Sequence, residues 1–192
     1  SAALHLAAAR VPTVVVTRGE AAESATAWAQ GGLAAVWDAA DSPDAHVADT
    51  LAAGAGLCEP DAVRALVAAA PAAIRRLIEL GATFDRDADG GLDLHLEGGH
   101  RHRRIVHAGG DATGHEVESA LIAALDGVLG STGSTVELLT HTRAVDVLTD
   151  ADGRACGVRV RTADGVVGDL LAPAVVLASG GMGQLWPLTS TP

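Results

Sequence analysis

The stretch LHLAAARVPTVVVTRG, Leu4 to Gly19, constrains the fold most. Its first half has helical composition and ends at Pro12, which cannot continue a helix. Thr13 to Thr17 then reads as a short buried strand, because β-branched residues pack well on a pleated surface. A helix feeding a buried strand within a few residues is the second half of a βαβ unit. The expected class is therefore α/β, with the first strand and its glycine turn expected upstream of Ser1.

Downstream, the pattern predicts helices and then strands. Ser42 can cap a helix opened by Pro43 and Asp44, with Val47 and Leu51 on one face and Gly54 and Gly56 ending it. A second helix opens at Pro60 and Asp61, with Val63, Leu66 and Val67 on one side. Pro71 is expected to break or kink it before Ile74, Leu77 and Ile78 resume the spacing. Residues 85–112 read as a long polar loop, a length more often functional or disordered than a plain connection. Thr113 and Glu116 fit a capping box for a third helix. Strands follow from residue 134, turned at 151–153 and 163–165, and Ala174 to Ala178 reads as a buried strand ending in Gly180 and Gly181. The expected organisation is one partial domain over 1–192. Residues 1–37 and 134–192 form its sheet parts, and 38–133 form a helical and loop insertion.

The chain of 192 residues is 48% hydrophobic but only 2% aromatic, so its core must be aliphatic and alanine-rich. All 13 basic residues are arginine, and the net charge is −11 with the acids dispersed. That balance disfavours a nucleic-acid or anionic-membrane surface, and no apolar run has membrane-spanning length. Cys58 and Cys156 lack paired spacing, which suits a reducing, cytoplasmic setting. No G-x-S-x-G or nucleophilic triad is present. Both ends read as cut, one inside a helix and the other after a glycine turn.

Three motifs carry chemistry. In ATAWAQGGLAAV, Ala25 to Val36, the small residues and paired glycines let something approach the backbone closely; a tight turn between helices is the plain alternative. In ASGG, a strand ending in glycines leaves its carboxyl edge open, where cofactors lie in α/β sheets. In EGGHRHRRIVHAGGDATG, Glu97, His100, His102 and His107 suggest a metal. However, Arg101, Arg103 and Arg104 are interleaved and would repel one. An anionic substrate or phosphate suits the cluster better, with a solvated basic loop as the alternative.

TAWAQGGLAAV, DSPDAHVADTLAAGAGLCEPDAV, EGGHRHRRIVHAGGDATGHEV and AVVLASGGMGQLW, in this order, resemble the L-aspartate oxidases. These belong to the succinate dehydrogenase and fumarate reductase flavoprotein superfamily. The resemblance covers almost the whole chain and implies a Rossmann-like FAD-binding domain. By the same resemblance Ala25, Thr26, Ala27, Trp28, Ala29, Gln30, Gly31 and Gly32 lie along the flavin and pyrophosphate. Arg18, Arg143 and Ala144 flank the adenosine, and Gly180 and Gly181 lie beside the cofactor. Glu97 meets the substrate amino group. The implied reaction is oxidation of L-aspartate to iminoaspartate, with oxygen or fumarate as acceptor, opening NAD biosynthesis in functional coupling to quinolinate synthase.

The departures from the family pattern are specific. Leu96 stands where the family has arginine, and Thr189-Ser190-Thr191-Pro192 where it has Thr-Thr-Asn-Pro. Ala25 occupies the position at which succinate dehydrogenase-type subunits carry a flavin-linking histidine, so FAD is expected to be non-covalent. The phosphate-binding glycine turn and the capping domain are expected outside the chain, so the fragment is expected to be inactive alone. A dehydrogenase or reductase subunit, or a non-catalytic remnant, are the rival readings.

Overall fold

The computed structural model describes residues 1–181 and 183–189; Met182 and the expected departure at Ser190 to Pro192 lie outside them. In chain order the elements are α1 (Ala2–Ala8), β1 (Thr13–Val16), β2 (Leu33–Ala34), α2 (Pro43–Ala53), α3 (Pro60–Glu79), β3 (Leu94–His95), β4 (Ile105–Val106) and α4 (Thr113–Leu129). They are followed by β5 (Val136–Leu139), β6 (Thr142–Thr149), β7 (Ala155–Thr162) and β8 (Val167–Leu171). The mixture is α/β, as the opening strand implied. Two compact units form, residues 26–121 and residues 1–25 with 122–192. The sequence reading places these edges instead at 37/38 and 133/134.

In the unit of residues 26–121, Ala35, Ile74, Phe84, Val106 and Ala120 make the main core. A smaller cluster joins α2 to α3 through Val47, Val63 and Val67. Each such aliphatic side chain contributes roughly 1.5–3 kcal/mol when buried. The cap of α2 is as expected, with Ala45 N–H donating to Ser42 Oγ at 3.1 Å. Pro71 does not divide α3, which runs unbroken past it. Val67 and Ile74, one turn on each side, are both buried and hold the helix across the missing hydrogen bond.

Two expectations fail here. Residues 85–112 are not an irregular loop, since β4 pairs antiparallel with both β2 and β3 in a small sheet. Ile105 and Val106 at its centre are almost wholly buried. Two-residue strands bracketed by polar residues carry too little alternation to be read. Nor does the capping box form. Thr113 Oγ1 accepts from Ala108 N–H at 3.2 Å, and Glu116 Oε1 accepts from Thr83 N–H at 2.6 Å. Both side chains serve neighbouring loops rather than the helix they begin.

In the unit of residues 1–25 and 122–192, β1 and β5 pair in parallel, Thr13 opposite Val136 through Val16 opposite Leu139. β6, β7 and β8 form an antiparallel meander. Thr142 N–H donates to Thr17 O at 2.9 Å and ties the start of β6 to the end of β1. Ala174 to Ala178, expected as a buried strand, joins no sheet, and Val176 and Leu177 are exposed. A strand needs a hydrogen-bonded neighbour, and none pairs with this segment among the described residues.

Candidate functional site

The ATAW segment makes a short 3₁₀ helix, Ala25–Trp28, and the chain then runs open to β2. Its backbone is pressed onto the start of α4. Gly114 N–H donates to Ala29 O at 2.9 Å, and a Cβ on Gly114 would stand 2.7 Å from Ala29 Cβ. Sequence reasoning passed over Gly114, although a glycine in the first turn of a helix signals a close approach. The paired glycines divide their work. A Cβ on Gly32 would meet Val106 O, Ile105 Cγ2 and His107 Nε2 within 3 Å, so β4 itself requires this glycine. A Cβ on Gly31 meets nothing within 4 Å. From Ala25 to Gly31 the segment is exposed except for half-buried Ala27, and even Trp28 is exposed.

Glu97 stands in the same unit. Its Oε1 lies 2.7 Å from Nε2 of buried His107, the atom that also borders Gly32. The contact is off the hydrogen-bonding direction, so His107 Nε2 has no aligned partner. His95 packs beside the His107 ring at 4.7 Å between centroids. The Glu97 carboxylate remains 44% exposed and can meet a ligand. Leu96 beside it is also exposed.

The arginine-rich loop is otherwise employed. Arg104 is fully buried and donates through Nε and Nη2 to Asp41, each at 2.8 Å, and through Nη1 to Asp49 at 2.9 Å. Asp49 also accepts from Arg101 N–H at 3.0 Å and from the Arg101 guanidinium. Burial pushes the Asp49 carboxyl up. The Arg101 and Arg104 hydrogen bonds outweigh it and hold the group at about 2. Asp41 is likewise depressed, with Arg104 overcoming burial, while the paired acids keep Arg104 above its ordinary value. His46, whose Nδ1 is buried without a partner, is held down by burial and by Arg104. Arg103 donates to Leu94 O at 3.3 Å. The expectation of an anion site on these arginines is therefore corrected, because Asp41 and Asp49, distant in sequence, neutralise the two that matter. No group of His, Cys, Asp or Glu able to hold a metal occurs among the described residues.

In the other unit, Arg18 and Arg143 come together in an open cleft of about 320 Å³ with His141 and Arg161. Ala144, next to Arg143, is exposed. Glu20, near the usual place of a ribose-binding carboxylate, instead contacts His141 Nε2 at 2.7 Å. Gly180 and Gly181 have open space where a Cβ would stand, and Gly180 has φ 73°.

One unit thus carries an exposed small-residue loop, and the other an arginine-lined cleft and glycines open toward solvent. The FAD binding domain family matches residues 1–191, and the chain belongs to that family of flavoproteins. Its cofactor is FAD. Over its full length it is 50% identical to L-aspartate oxidase of Streptomyces coelicolor, of which it covers 33%. It is 43% identical over 96% of its length to that of Caulobacter vibrioides, covering 35%. The chain thus spans about a third of the curated relatives it matches. Among solved structures, Mycobacterium smegmatis Sdh1 in its apo form superposes with TM-score 0.90 at 29% identity, over 99% of this chain and 34% of that one. E. coli quinol fumarate reductase FrdA superposes with TM-score 0.87 at 26% identity, over 100% and 33%.

At Gly31 and Gly181 a side chain would have room, so internal packing does not require these glycines, whereas Gly180 is favoured by its φ of 73°. Internal packing does require Gly32 and Gly114.

Proposed function

We propose that the chain serves FAD-dependent oxidation of L-aspartate to iminoaspartate, with oxygen or fumarate as acceptor, at the opening of NAD biosynthesis. The observation that carries this reading is the exposed Glu97 carboxylate set beside His107 and the glycine loop. FAD, when bound, supplies the hydride acceptor. Ala25 to Gly31 would hold it without a covalent link, since Ala25 has no nucleophilic atom; Arg18, Arg143, Ala144, Gly180 and Gly181 would hold its remaining parts. Glu97 would pair with the substrate ammonium group, which fumarate and succinate lack. His107 touches the carboxylate, which stays partly exposed and open to substrate. An unstable imine product suits functional coupling to quinolinate synthase. Two free cysteines suit a cytoplasmic setting, and no helix among the described residues is long and apolar enough to cross a membrane.

Glu97→Gln in the complete enzyme tests the reading. A charge-assisted hydrogen bond contributes roughly 1.5–3 kcal/mol, so aspartate kcat/KM should fall about ten- to a hundredfold. Fumarate reduction should stay nearly intact. Equal loss on both substrates, together with a lower melting temperature, would make Glu97 a brace for His107 and remove it from the substrate site.

A further inference from the structure

The turn that carries Glu97 is fixed at its backbone. His100 N–H donates to Glu97 O at 3.2 Å, and Arg101 N–H donates to Asp49 of α2 at 3.0 Å. What this leaves free is the Glu97 side chain, which is 44% exposed. A long, half-exposed carboxylate is a poor recognition element by itself, because ordering it costs side-chain entropy each time a ligand binds. A neighbour that holds it in advance removes that cost.

His107 is placed to do so. Its ring is buried, and Nε2 lies 2.7 Å from Glu97 Oε1 with no aligned partner among the described residues. At that separation Nε2 must carry its hydrogen, because a bare nitrogen would set its lone pair against those of the oxygen. A buried donor left unpaired costs its full desolvation, so a small turn of the carboxylate into line is favoured. The ring itself has little freedom. His95 packs beside it at 4.7 Å between centroids, and His95 Nε2 in turn meets Asp93 Oδ2 at 3.2 Å. Gly32 borders the same nitrogen: a Cβ there would stand 2.9 Å from Nε2 and push the ring off its place.

We propose that His107 is a positioning residue for the substrate ammonium group. Its Nε2–H holds one oxygen of Glu97 and leaves the other for the ligand. A carboxylate has lone pairs to spare, so accepting from His107 does not use up its capacity to accept. The imidazole acts through Glu97 alone, and its effect is therefore confined to ligands that carry an ammonium group. This role rests on Glu97 being the ammonium partner.

Steady-state kinetics of the complete enzyme on aspartate and fumarate tests it, with Glu97→Gln as the reference. His107→Phe keeps a ring and removes the donor. It should lower aspartate kcat/KM about tenfold, within the range that a small misplacement costs, and leave fumarate reduction nearly intact. His107→Gln brings an amide N–H toward the place of Nε2 and should recover most of that loss. In a Glu97→Ala background His107→Phe should have no further effect on aspartate, since no carboxylate is left to position. Melting curves identify any variant that is unfolded. Nitrogen NMR of the imidazoles in the unaltered enzyme reads the contact without a variant, and Nε2 of His107 should carry the hydrogen. A bare Nε2, unchanged aspartate kinetics in a folded His107→Phe, equal loss on both substrates, no recovery in His107→Gln, or an undiminished effect in the Glu97→Ala background overturns the role of His107. A silent His107→Phe beside a selective Glu97→Gln loss removes His107 only. A Glu97→Gln enzyme that loses both activities equally removes Glu97 from the substrate site, and the role of His107 with it.

Discussion

Two groups of arginines in this chain have opposite fates. Arg101 and Arg104 sit together in sequence, yet Asp41 and Asp49 absorb them, and Arg104 is sealed from solvent. Arg18, Arg143 and Arg161 are far apart in sequence and exposed, yet they meet in one cleft without an acid. Density of charge along the chain therefore says little about where charge is available. What decides is whether folding supplies a counter-ion, and that depends on contacts between segments dozens of residues apart.

The largest expected effect separates the two groups by stability. Arg104→Met leaves Asp41 buried without its cation and Asp49 with Arg101 alone, and breaking such a buried pair costs about 3–5 kcal/mol. Arg161→Met relieves a like-charge pair with Arg143, its cross-strand partner, and should raise stability by a few tenths of a kcal/mol. Urea denaturation of both variants measures this. Comparable losses would mean that the cleft arginines are structural as well, and the contrast would disappear.

The same contrast explains what could be read in advance. Elements with a strong local cause were legible: Ser42, Pro43 and Asp44 announce α2, and Thr13 to Val16 announce β1. The α/β class and the FAD-binding resemblance followed from such stretches. The small sheet of β2, β3 and β4 was not legible, because each strand is two residues long and gains its pairing only from the tertiary fold. Thr113 and Glu116 match a capping box by spacing, but Ala108 and Thr83 compete for their oxygens. Ala174 to Ala178 has strand composition and no described partner. Among candidate site residues, Gly31 was proposed from its neighbours in sequence. Gly114, His107 beside Glu97 and Arg161 were not, since each draws its role from a contact across space.

A smaller effect divides the paired glycines, since Gly32 is required by the fold and Gly31 is proposed to face the cofactor. Gly32→Ala forces a methyl group against Val106 O and Ile105, and overpacking of this kind costs about 1–3 kcal/mol. Gly31→Val meets open space, so the protein should melt near the wild-type temperature while losing flavin. Flavin absorbance and a melting curve on each variant suffice. A Gly31→Val protein that purifies with full flavin content would take the loop away from the cofactor.

The smallest effect concerns acid, and it belongs to the buried network alone. Asp49 is held at about 2 in the folded chain against an ordinary 3.8. A depressed carboxyl contributes stability above its unfolded value and loses it as pH falls through the folded one. The Asp49 contribution is therefore complete above pH 3.8 and fades between 3.8 and about 2, with depressed Asp41 adding loss of the same sign. His46 acts earlier. Burial and Arg104 hold it below 6.5, so the unfolded chain takes up a proton there that the folded chain refuses, and stability begins to fall as pH drops below 6.5. Melting temperature measured from pH 7 to pH 2 should show two declines, one starting near 6.5 and one below 3.8. His46→Gln should remove the first and leave the second, because glutamine does not titrate and Asp49 keeps its arginines. Arg161 makes no hydrogen bond to Asp41, Asp49 or His46 among the described residues, so Arg161→Gln should leave both declines in place. A flattened acid limb in Arg161→Gln would show that the two groups are coupled.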